Sequence, residues 1–446
     1  MIAVEQQVES VGKYHRYGQY VSSGYAYLPE VPVHWKILRN RQLFHFKKRP
    51  VGKRAHQYQL LSLTLKGIIP RDIESGKGKI PAEFDTYQVV EPNNIVFCLF
   101  DIDETPRTVG LSSQNGMVTG AYAVAEVAKE HCPEFVYYYY LHLDEFKGLR
   151  PFYTGLRKVV RPETFMGLSV PTPPQEEQRT IAAFLDYETA RIDRLIALQQ
   201  SLIELLKEKR QAVISHAVTK GLNPDAPMKD SGVEWIGQVP EHWNIFKGAW
   251  LGKIFSSEVV TEDDVVSEGD IAFVKVSTLS LDGLQPQCPE WFISSQIATR
   301  VCAKSNYIAF PKRGAAIFTN KVNIVPYLSV IDPNVMGWEI KRNVNATFIA
   351  YCLKIRRLDD IADVSTVPQI NNKHISPQRF PVPPYDEQNE IVKDIEKKMV
   401  LLDKIESKVR NAILLMQERR TALISAAVTG KIDLRGWTTP VDEVVA

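Results

Sequence analysis

Apolar residues recur at alternating spacings of three and four positions through two long stretches of the chain. In the first stretch they are Ile181, Leu185, Ile192, Leu195, Leu202, Leu206 and Val213. In the second they are Ile391, Ile395, Leu402, Ile405, Val409, Ala412, Met416 and Leu423. Lys, Glu and Arg fill most outer positions, which is the pattern of a heptad seam. Two helices of about 40 residues, each roughly 60 Å long, are therefore predicted.

Proline and glycine residues mark where each predicted helix begins and ends. The sequence SVPTPPQEEQ (169–178) precedes the first helix, and RFPVPPYDEQ (379–388) precedes the second. Proline is excluded from a helix interior, whereas acidic residues suit a first turn because they face the positive end of the helix dipole. Gly221 and Gly430 occupy positions typical of helix ends.

The two stretches are copies of one another. Residues 170–221 and 380–431 align without a gap and share 17 identities in 52 positions. A second repeat pairs SGYAYLPEVPVHW (23–35) with SGVEWIGQVPEHW (231–243). The chain is therefore organised as two tandem halves, each with an arm, a globular body and a long helix. Each helix could pack on its own domain, but the return of the chain through a second body favours an antiparallel coiled coil.

The repeats divide the chain into segments of predicted fold. The segments are an N-terminal arm (1–35), a first body (36–169), a central repeat helix (170–221), a linker with the second arm (222–243), a second body (244–379), a C-terminal repeat helix (380–432) and a tail (433–446). Short β-like runs at 94–100, 122–127 and 271–276 and helical stretches at 133–143 and 345–356 predict mixed bodies. The expected fold class is α/β (α+β), with two bodies joined by a pair of long antiparallel helices.

Composition changes this picture little. The 446 residues carry a net charge of +2 and are 44% hydrophobic, which is typical of a globular protein. No run approaches the roughly 20 apolar residues that span a bilayer, and the first residues lack a signal peptide's apolar core. The five cysteines form no CxxC pair, so neither a disulfide framework nor a zinc knuckle is indicated. We expect a cytoplasmic location.

Known catalytic motifs are absent from the sequence. It contains no GxxxxGK[ST], HExxH or GxSxG motif. The sequence VPPY (382–385) resembles the NPPY loop of adenine methyltransferases, but it lacks the Asn or Asp and recurs as TPPQ (172–175). We interpret it as a helix entry. The acidic sequence DIDE (101–104) could hold a metal, but an acidic surface turn is the commoner reading. We predict no catalytic residue and no metal site.

Basic and polar side chains cluster in both bodies. Residues 36–169 hold 19 Lys and Arg against 14 Asp and Glu, and residues 244–379 hold 15 against 13. Such clusters suit phosphate neutralisation, and Arg, Lys, Asn, Gln and Ser read base edges. The candidate DNA-binding residues are Lys47, Lys48, Arg49, Lys53, Arg54, Ser113, Gln114, Asn115, Arg157, Lys158, Lys312, Arg313, Asn320, Lys321, Gln369, Asn371, Asn372 and Lys373. A solvated loop is the simpler interpretation for each one singly, whereas the set favours DNA contact.

Several motifs, in one order, resemble the specificity subunit of type I restriction-modification systems. They are PMKDSGVEWIGQVPEHW (227–243), PPQEEQRTIAAFLD (173–186), PPYDEQNEIV (383–392) and the helix ends AVTKG and AVTGK. The match covers both arms and both helices. The bodies do not match by motif, as expected for variable target-recognition domains. The first arm departs from the pattern, with AYLP (26–29) in place of EWIG (234–237).

The resemblance implies a function in sequence-specific binding of double-stranded DNA. Each body would read one half of a bipartite, asymmetric target, and the helices would set the spacer. The chain would be non-catalytic and hold no cofactor. Two modification subunits, using S-adenosylmethionine, would methylate DNA, and restriction (motor-nuclease) subunits would join for cleavage, in the cytoplasm of a prokaryote. The candidate partner-binding residues are Trp35, Glu177, Gln178, Trp235, Trp243, Glu387 and Gln388.

Two other functions stay open on sequence alone. One is a single-chain DNA methyltransferase or nuclease with an unrecognised catalytic motif, which methyl transfer or cleavage by the chain alone would reveal. The other is a coiled-coil interaction protein without a DNA role, which target-specific, salt-dependent DNA binding would exclude.

Overall fold

The two long helices predicted from the heptad pattern are present. A computed structural model of the chain describes residues 14–25, 28–71, 83–257, 260–294, 297, 300–363 and 367–440. Its α-helices in this part are α1 (Asn40–Leu43), α2 (Pro133–Glu145), α3 (Pro162–Gly167), α4 (Gln175–Lys220), α5 (Gly248–Leu251), α6 (Ala346–Arg356), α7 (Asn372–Ile375) and α8 (Tyr385–Val428). Short 3-10 helices cover Gly52–Gln57, Arg150–Phe152, Glu262–Asp264, Val276–Thr278 and Gly314–Thr319. The long helices α4 and α8 contain 46 and 44 residues and begin directly after the two proline pairs.

The chain divides into two compact units, and each long helix contributes to both. Unit 1 comprises Met1–Gln200 and Arg410–Ala446, and unit 2 comprises Ser201–Val409. The units therefore differ from the segments drawn from sequence, because they divide α4 and α8 internally. In the described part of the chain, no helix is long and apolar enough to cross a membrane. Residues 26 and 27 of the divergent first arm lie outside the described residues.

Unit 1 is built from short antiparallel strands around one four-stranded sheet. Its strands are β1 (Tyr20–Tyr25), β2 (Leu28–Pro32), β3 (Lys36–Arg39), β4 (Phe44–Phe46), β5 (Leu61–Thr64), β6 (Gly67–Pro70), β7 (Gln88–Val90), β8 (Ile95–Phe97), β9 (Val109–Leu111), β10 (Gly116–Val118), β11 (Ala123–Val127) and β12 (Ser169–Thr172). The main sheet has the order β4-β11-β8-β9, and β1-β2, β3-β12, β5-β6 and β7-β10 form pairs. Ala125 lies opposite both Ile95 and Phe46, which fixes the register of the central strands.

Aromatic rings fill the core between this sheet and helices α2 and α3. The Phe97 ring lies 5.0 Å from the rings of both Tyr140 and Phe165. The buried Asn40 accepts a hydrogen bond from the Tyr140 hydroxyl (2.6 Å) and donates to the Phe165 carbonyl (2.7 Å), so its polar atoms are satisfied. This network ties α1 to both helices.

Unit 2 contains two four-stranded sheets. Its strands are β13 (Met228–Asp230), β14 (Gln238–Pro240), β15 (Asn244–Lys247), β16 (Gly252–Ser256), β17 (Val265–Val266), β18 (Ala272–Val274), β19 (Phe292–Ile293), β20 (Tyr307–Pro311), β21 (Asn323–Val325), β22 (Ser329–Ile331), β23 (Val335–Ile340) and β24 (Arg379–Val382). The sheets have the orders β16-β23-β20-β21 and β17-β19-β18-β22, and among the described strands of this unit only β18 and β22 pair in parallel. The mixed α/β character expected for both bodies is confirmed. The sheet β16-β23-β20-β21 has the same strand order as the main sheet of unit 1, whereas the other strands within the bodies form the two pairs β5-β6 and β7-β10 in unit 1 and a second sheet in unit 2.

Both bodies begin and end on neighbouring strands. In unit 1, Lys36 pairs with Thr172, so the strand after the arm lies beside the strand before α4. In unit 2, Asn244 pairs with Val382 in the same way before α8. Each body is therefore an insertion closed by a two-stranded antiparallel pair that connects the arm to a long helix.

The heptad period predicted for α4 is correct, but two of the residues predicted to be buried along the seam are off by one position. Leu195 and Leu202 are 38% and 37% exposed, whereas Ile203 is only 7% exposed and Ile196 is partly buried. At these two positions the buried seam therefore uses the residue after the predicted leucine, whereas Leu185 and Leu206 are buried as predicted. An adjacent isoleucine made both choices compatible with the apolar pattern, and only packing against the second helix distinguishes them.

Within each unit the two long helices run antiparallel. In unit 1, Asp193 on α4 pairs with Arg420 on α8 at 3.0 Å. In unit 2, Arg210 on α4 pairs with Asp403 and Glu406 at 2.5 and 3.0 Å. At the end of α4 in the same unit, a Cβ on Gly221 would lie 3.5 Å from Glu387 Oε1 at the start of α8. Within unit 2 the position on α8 therefore falls as the position along α4 rises, and the antiparallel packing expected from the repeat is confirmed.

Candidate nucleic-acid interface

The first repeated feature is a buried carboxylate at the start of α4. Glu177 Oε1 accepts hydrogen bonds from Trp35 Nε1 (3.0 Å) and the Tyr17 hydroxyl (2.5 Å), and Glu177 Oε2 lies 2.8 Å from His34 Nε2. Burial, followed by the hydrogen bond to Glu177, raises the pKa of Tyr17 far above its usual range. Tyr17 is therefore a hydrogen-bond donor here at all ordinary pH values.

The residue after this carboxylate fixes the body to the same helix. Gln178 Oε1 accepts a hydrogen bond from the Cys132 backbone N–H (2.9 Å), and Gln178 Nε2 donates to the Pro173 carbonyl (2.8 Å). Cys132 precedes the first residue of α2, whose early N–H groups lack partners within the helix. Two neighbouring side chains therefore have different partners: Glu177 binds the arm through Trp35, and Gln178 binds the body through Cys132.

Unit 2 repeats this arrangement around α8. Glu387 accepts a hydrogen bond from Trp243 Nε1 (3.0 Å) and lies 2.7 Å from His242 Nε2. Gln388 accepts from the Asn345 backbone N–H (2.8 Å) and donates to the Pro383 carbonyl (2.8 Å). Asn345 precedes α6, as Cys132 precedes α2. We call these two sets the joints of unit 1 and unit 2.

A glycine at the end of the opposite helix completes each joint. Gly430 has φ 72°, and a Cβ there would lie 2.5 Å from Pro32 Cδ and 3.2 Å from Trp35 Cη2. Gly221 has φ 75°, and its Cβ would lie 3.2 Å from Trp243 Cζ2. Glycine is needed at both positions because the backbone is left-handed and an indole ring packs against it.

The candidate partner-binding residues have internal contacts in the structure. Trp35, Gln178, Trp243 and Gln388 are buried in the joints, and Glu177 and Glu387 accept the indole hydrogen bonds. Trp235 packs on Phe380, with ring centroids 6.1 Å apart. These contacts explain why the arms and helix starts repeat. Direct contact of these side chains with a partner stays a prediction.

The basic segment of the first body divides into paired and unpaired cations. Lys47 forms an ion pair with Glu126, and Arg49 forms one with Glu91 at 2.9 Å. The other three cations are exposed, and no ion pair in the described part of the chain involves them. They are Lys48, Lys53 and Arg54. These three are the cations of this segment that can meet phosphate without breaking an ion pair.

Arg157 and Lys158 lie in a hairpin that meets the acidic turn considered above as a metal site. Arg157 pairs with Asp101 at 2.7 Å, and Lys158 pairs with Glu104 at 2.7 Å and Asp103 at 3.2 Å. The hydrogen bond from Lys158 lowers the pKa of Glu104. In the part of the chain that the structure describes, no group of three or more His, Cys, Asp or Glu could hold a metal ion.

The polar turn at 113–115 and the basic segment that starts at Lys47 lie at opposite ends of the main sheet. Val109 pairs with Phe97 and Leu111 with Ile95, so the turn follows the end of β9 that lies beside the start of β8. Ser113 and Asn115 are exposed, and Gln114 is partly buried. The basic segment begins at the other end, where Lys47 N–H donates to the Val124 carbonyl at 2.8 Å. The structure therefore separates this turn from Lys47.

In unit 2 the structure brings two candidate segments together. Arg313 and Gln369 form a backbone bridge, and the Ile370 N–H donates to the Lys312 carbonyl at 2.9 Å. Both Arg313 and Gln369 are exposed. Nothing in the sequence pattern relates these segments, which are more than 50 positions apart. Together they form the most coherent candidate reading surface of this unit.

The remaining candidates of unit 2 use their polar atoms within the body. Asn320 donates to the Lys354 carbonyl (2.8 Å) and accepts from the Leu358 N–H (3.0 Å), and Lys321 Nζ donates to the Val276 carbonyl (3.3 Å). Asn371 caps α7 by accepting from the Lys373 N–H at 3.1 Å. Asn372 bonds the Ser376 hydroxyl, and the Lys373 side chain is exposed. Base contact by these five residues stays a prediction.

Sequence reasoning missed three contributors to these surfaces. Tyr17 joins the unit 1 joint, and Trp437 from the tail packs on Phe184 at 5.5 Å. Leu156, between the hairpin glycine and Arg157, is 102% exposed. Only the tail tryptophan could have attracted notice, as a large aromatic residue far from any predicted core.

Curated relatives are specificity subunits. No protein-family profile matches the chain. The chain is 23% identical over 296 residues to the type I restriction enzyme EcoKI specificity subunit of Escherichia coli (strain K12), covering 61% of this chain and 60% of the relative. It is 24% identical over 276 residues to the putative MjaX specificity subunit of Methanocaldococcus jannaschii, covering 60% of each. The chain thus spans less than two thirds of the length of these relatives.

Solved structures extend the likeness to nearly the whole chain. A structure from a study of complex assembly in the type I restriction-modification system superimposes with TM-score 0.69 and 14% identity, over 89% of this chain and 98% of that one. The HsdS subunit from Thermoanaerobacter tengcongensis gives TM-score 0.57 and 14% identity, over 92% and 100%. The resemblance indicated by the sequence motifs is confirmed, and the fold is that of these subunits.

Proposed function

Because the chain shares sequence motifs and fold with type I specificity subunits, we propose that it is the DNA-recognition subunit of a type I restriction-modification complex. Each body reads one half of a bipartite, asymmetric target in double-stranded DNA. The long helices set the number of unread base pairs between the halves. The chain supplies recognition, and its partners supply catalysis.

The observation that supports this proposal most strongly is the joint repeated around two unlike bodies. Glu177 and Glu387 hold equivalent indole groups, and Gln178 and Gln388 hold equivalent helix starts. The bodies inserted between these repeats share no motif. Their main sheets have the same strand order, but the remaining strands form two separate pairs in unit 1 and one four-stranded sheet in unit 2. A repeated scaffold around different bodies suits a target whose two halves differ in sequence.

Catalysis belongs to partner subunits in this proposal. Two modification subunits bind S-adenosylmethionine and methylate one adenine in each half-site after the base is flipped from the duplex. Restriction subunits, which carry the motor and nuclease, join them to cleave unmodified DNA. The arms and long helices are the proposed docking region, since they are the parts that repeat.

Co-expression with modification subunits tests the proposal. We expect sequencing of methylated bases in the host cells to give one motif with two unlike halves, an unread spacer and a methylated adenine in each half. The purified chain alone, incubated with labelled S-adenosylmethionine and the same DNA, should transfer no methyl group. Methyl transfer without a partner would contradict the assignment of catalysis, and the absence of target-specific DNA binding by the complex would contradict recognition.

A chimaera assigns the half-sites to the bodies. Replacing residues 244–379 with the second body of another specificity subunit keeps the unit 1 joint and, from the unit 2 joint, Trp243, Glu387 and Gln388. We expect one half of the methylated motif to change and the other half to persist. The matched control replaces residues 36–169 and should change the opposite half. A simultaneous change of both halves in either chimaera would show that the bodies do not read independently.

A further inference from the structure

A hairpin in unit 1 holds one leucine completely outside the protein. Its ends are joined by two backbone hydrogen bonds, from Thr154 N–H to the Val159 carbonyl (2.9 Å) and from Val159 N–H to the Thr154 carbonyl (3.1 Å). Between them, Gly155 and Lys158 adopt left-handed conformations, with φ 71° and 46°. This tight turn projects Leu156, which is 102% exposed, into solvent.

The hairpin is fixed to the rest of unit 1, which separates this leucine from an ordinary surface leucine. Isolated exposed apolar side chains are common and usually need no explanation. Here, however, the Asp101 N–H donates to the Arg157 carbonyl (2.8 Å), and the Val160 N–H donates to the Leu99 carbonyl (2.9 Å). The Arg157 guanidinium also lies 5.3 Å from the centre of the Phe100 ring. The tip is therefore presented in a defined position.

The charges around the hairpin balance one another. Arg150 pairs with Asp103 at 3.0 Å, and the pairs of Arg157 with Asp101 and Lys158 with Glu104 complete three cations against three carboxylates. The hairpin thus contributes no net charge to attract DNA. Its contribution is a fixed apolar tip next to two cations that can exchange an exposed carboxylate for a phosphate. Exposed ion pairs contribute little free energy, so this exchange costs little.

The hairpin lies at the basic end of the main sheet. The Val160 N–H donates to the Leu99 carbonyl, two residues after the end of β8. The Lys47 N–H donates to the Val124 carbonyl of β11, which lies beside the same end of β8. The unpaired Lys48 follows Lys47 in this segment. Positive charge without an ion pair at the same end of the sheet favours nucleic acid over a protein surface as the ligand.

We propose that Leu156 makes an apolar contact with a base in the half-site that unit 1 reads. This inference rests on the proposed function. Apolar side chains contact the methyl group of thymine in the major groove or wedge between base steps. Burying an exposed leucine against a base contributes enough free energy to change affinity about tenfold. Leu156 is thus a specificity-determining residue that sequence patterns do not reveal.

Binding selectivity of the complete complex tests this inference. The full chain with its modification subunits is titrated onto its target duplex and onto a duplex with the first half-site scrambled. We expect Leu156→Ala to lower the ratio of the two affinities about tenfold. Leu281→Ala, in an exposed loop of unit 2 where the leucine is 57% exposed, is the matched control and should leave this ratio unchanged. Because Leu156 is fully exposed, its substitution leaves the packing of unit 1 intact.

Further measurements separate the possible outcomes. If wild-type complex prefers the target and Leu156→Ala keeps the full preference, this inference is overturned while the proposed function stands. If wild-type complex has no preference, the proposed function itself fails. Weaker assembly of Leu156→Ala with modification subunits in the absence of DNA would place the leucine on a partner and overturn the inference.

Two modified duplexes then identify the contact. Uracil in place of thymine in the first half-site removes the methyl group, and a wild-type affinity loss that Leu156→Ala does not show identifies a methyl contact. In the second duplex, 2-aminopurine replaces a base of the first half-site. A rise in its fluorescence with the wild-type complex, but not with the Leu156→Ala complex, identifies a wedge between bases. Either result supports the inference.

Discussion

Trp35 donates its indole N–H to Glu177 across 3.0 Å, and Trp243 donates to Glu387 across the same distance. One carboxylate at the start of each long helix therefore fixes each arm. The two carboxylates differ in environment, since the side chain of Glu177 is 6% exposed and that of Glu387 is 26% exposed. Among the residues that the structure describes, Glu177 has a third donor, Tyr17, and Glu387 has none.

This difference predicts unequal losses of stability. Glu177→Ala leaves three donors at a buried position and should lower the unfolding free energy of unit 1 by about 3 kcal/mol. Glu387→Ala leaves the buried Trp243 indole and the 50% exposed His242 ring, but the carboxylate position is open enough for water to replace it, so we expect a loss of about 1 kcal/mol in unit 2. Hydrogen exchange in increasing urea, resolved by peptide, measures each unit separately. Glu176→Ala is the control, because that side chain is 85% exposed. Equal losses at Glu177 and Glu387 would contradict the prediction.

The helix register gives a second prediction. Ile203 is 7% exposed and its neighbour Leu202 is 37% exposed. Ile203→Ala should destabilise unit 2 by about 2–4 kcal/mol, because it removes buried methyl groups and leaves a cavity. Leu202→Ala is the matched control, on the same helix and one position away, and should cost less than about 1 kcal/mol. Urea denaturation of both variants measures the difference, and a larger loss for Leu202→Ala would restore the register read from sequence.

The helices could be predicted from sequence because their signals are local and occur twice. Proline pairs, acidic first turns and terminal glycines lie within a few residues of the boundaries that they set. Local signals do not determine which residues form the buried seam, because Leu195 adjoins Ile196 and Leu202 adjoins Ile203. Both stripes satisfy the period, and only the second helix, more than 190 positions away in sequence, selects one of them.

The types of residue at the candidate site could be predicted from the sequence, but the residues with which they form ion pairs and hydrogen bonds could not. Arg157 and Lys158 have the chemistry of phosphate contacts, yet the structure gives them carboxylate partners more than 50 positions upstream. The roles of Gln178 and Gln388 were also hidden, because their partners are backbone groups of distant helix starts. Long-range partners of this kind leave no periodic trace in sequence.

A histidine in unit 1 predicts sensitivity to acid. The partly buried His142 ring packs on Phe146 at 4.9 Å. Burial, followed by the positive charge of Lys431, lowers the pKa of His142 from 6.5 to about 4. The neutral ring is favoured in the folded state, so its stabilising contribution is complete above pH 6.5 and is lost as pH falls from 6.5 towards 4.

Substitution of this histidine isolates the effect. Between pH 7.5 and 5.0, unit 1 of the wild-type chain should lose on the order of 1–2 kcal/mol more unfolding free energy than unit 1 of His142→Phe. Peptide-resolved hydrogen exchange at the two pH values measures this difference. Carboxylate titration is common to both proteins and cancels in the comparison. An identical pH dependence in the two proteins would show that the pKa of His142 is the same in the folded and unfolded chains.

The basic segment of unit 1 gives a prediction about salt. Lys53 and Arg54 are exposed without ion pairs in the described residues, whereas Lys47 and Arg49 are paired with Glu126 and Glu91. Each phosphate contact on B-DNA steepens the fall of log affinity with log salt by about 0.9. The double substitution Lys53→Gln with Arg54→Gln should therefore lower the slope by between about 1 and 2.

A second double variant, in the cations that form ion pairs, tests whether an ion pair within the protein prevents a cation from contacting DNA phosphate. Lys47→Gln with Arg49→Gln removes the same charge from the same segment, but these cations are already neutralised, so the slope should change by less than about 0.5. Fluorescence anisotropy of the complete complex at several salt concentrations measures both slopes. Affinity for target and scrambled duplexes should fall together in the first variant, because phosphate contacts carry no sequence information. A smaller slope change for Lys53 and Arg54 than for the paired cations would mean that DNA binding breaks the ion pairs and that the unpaired cations lie away from the duplex.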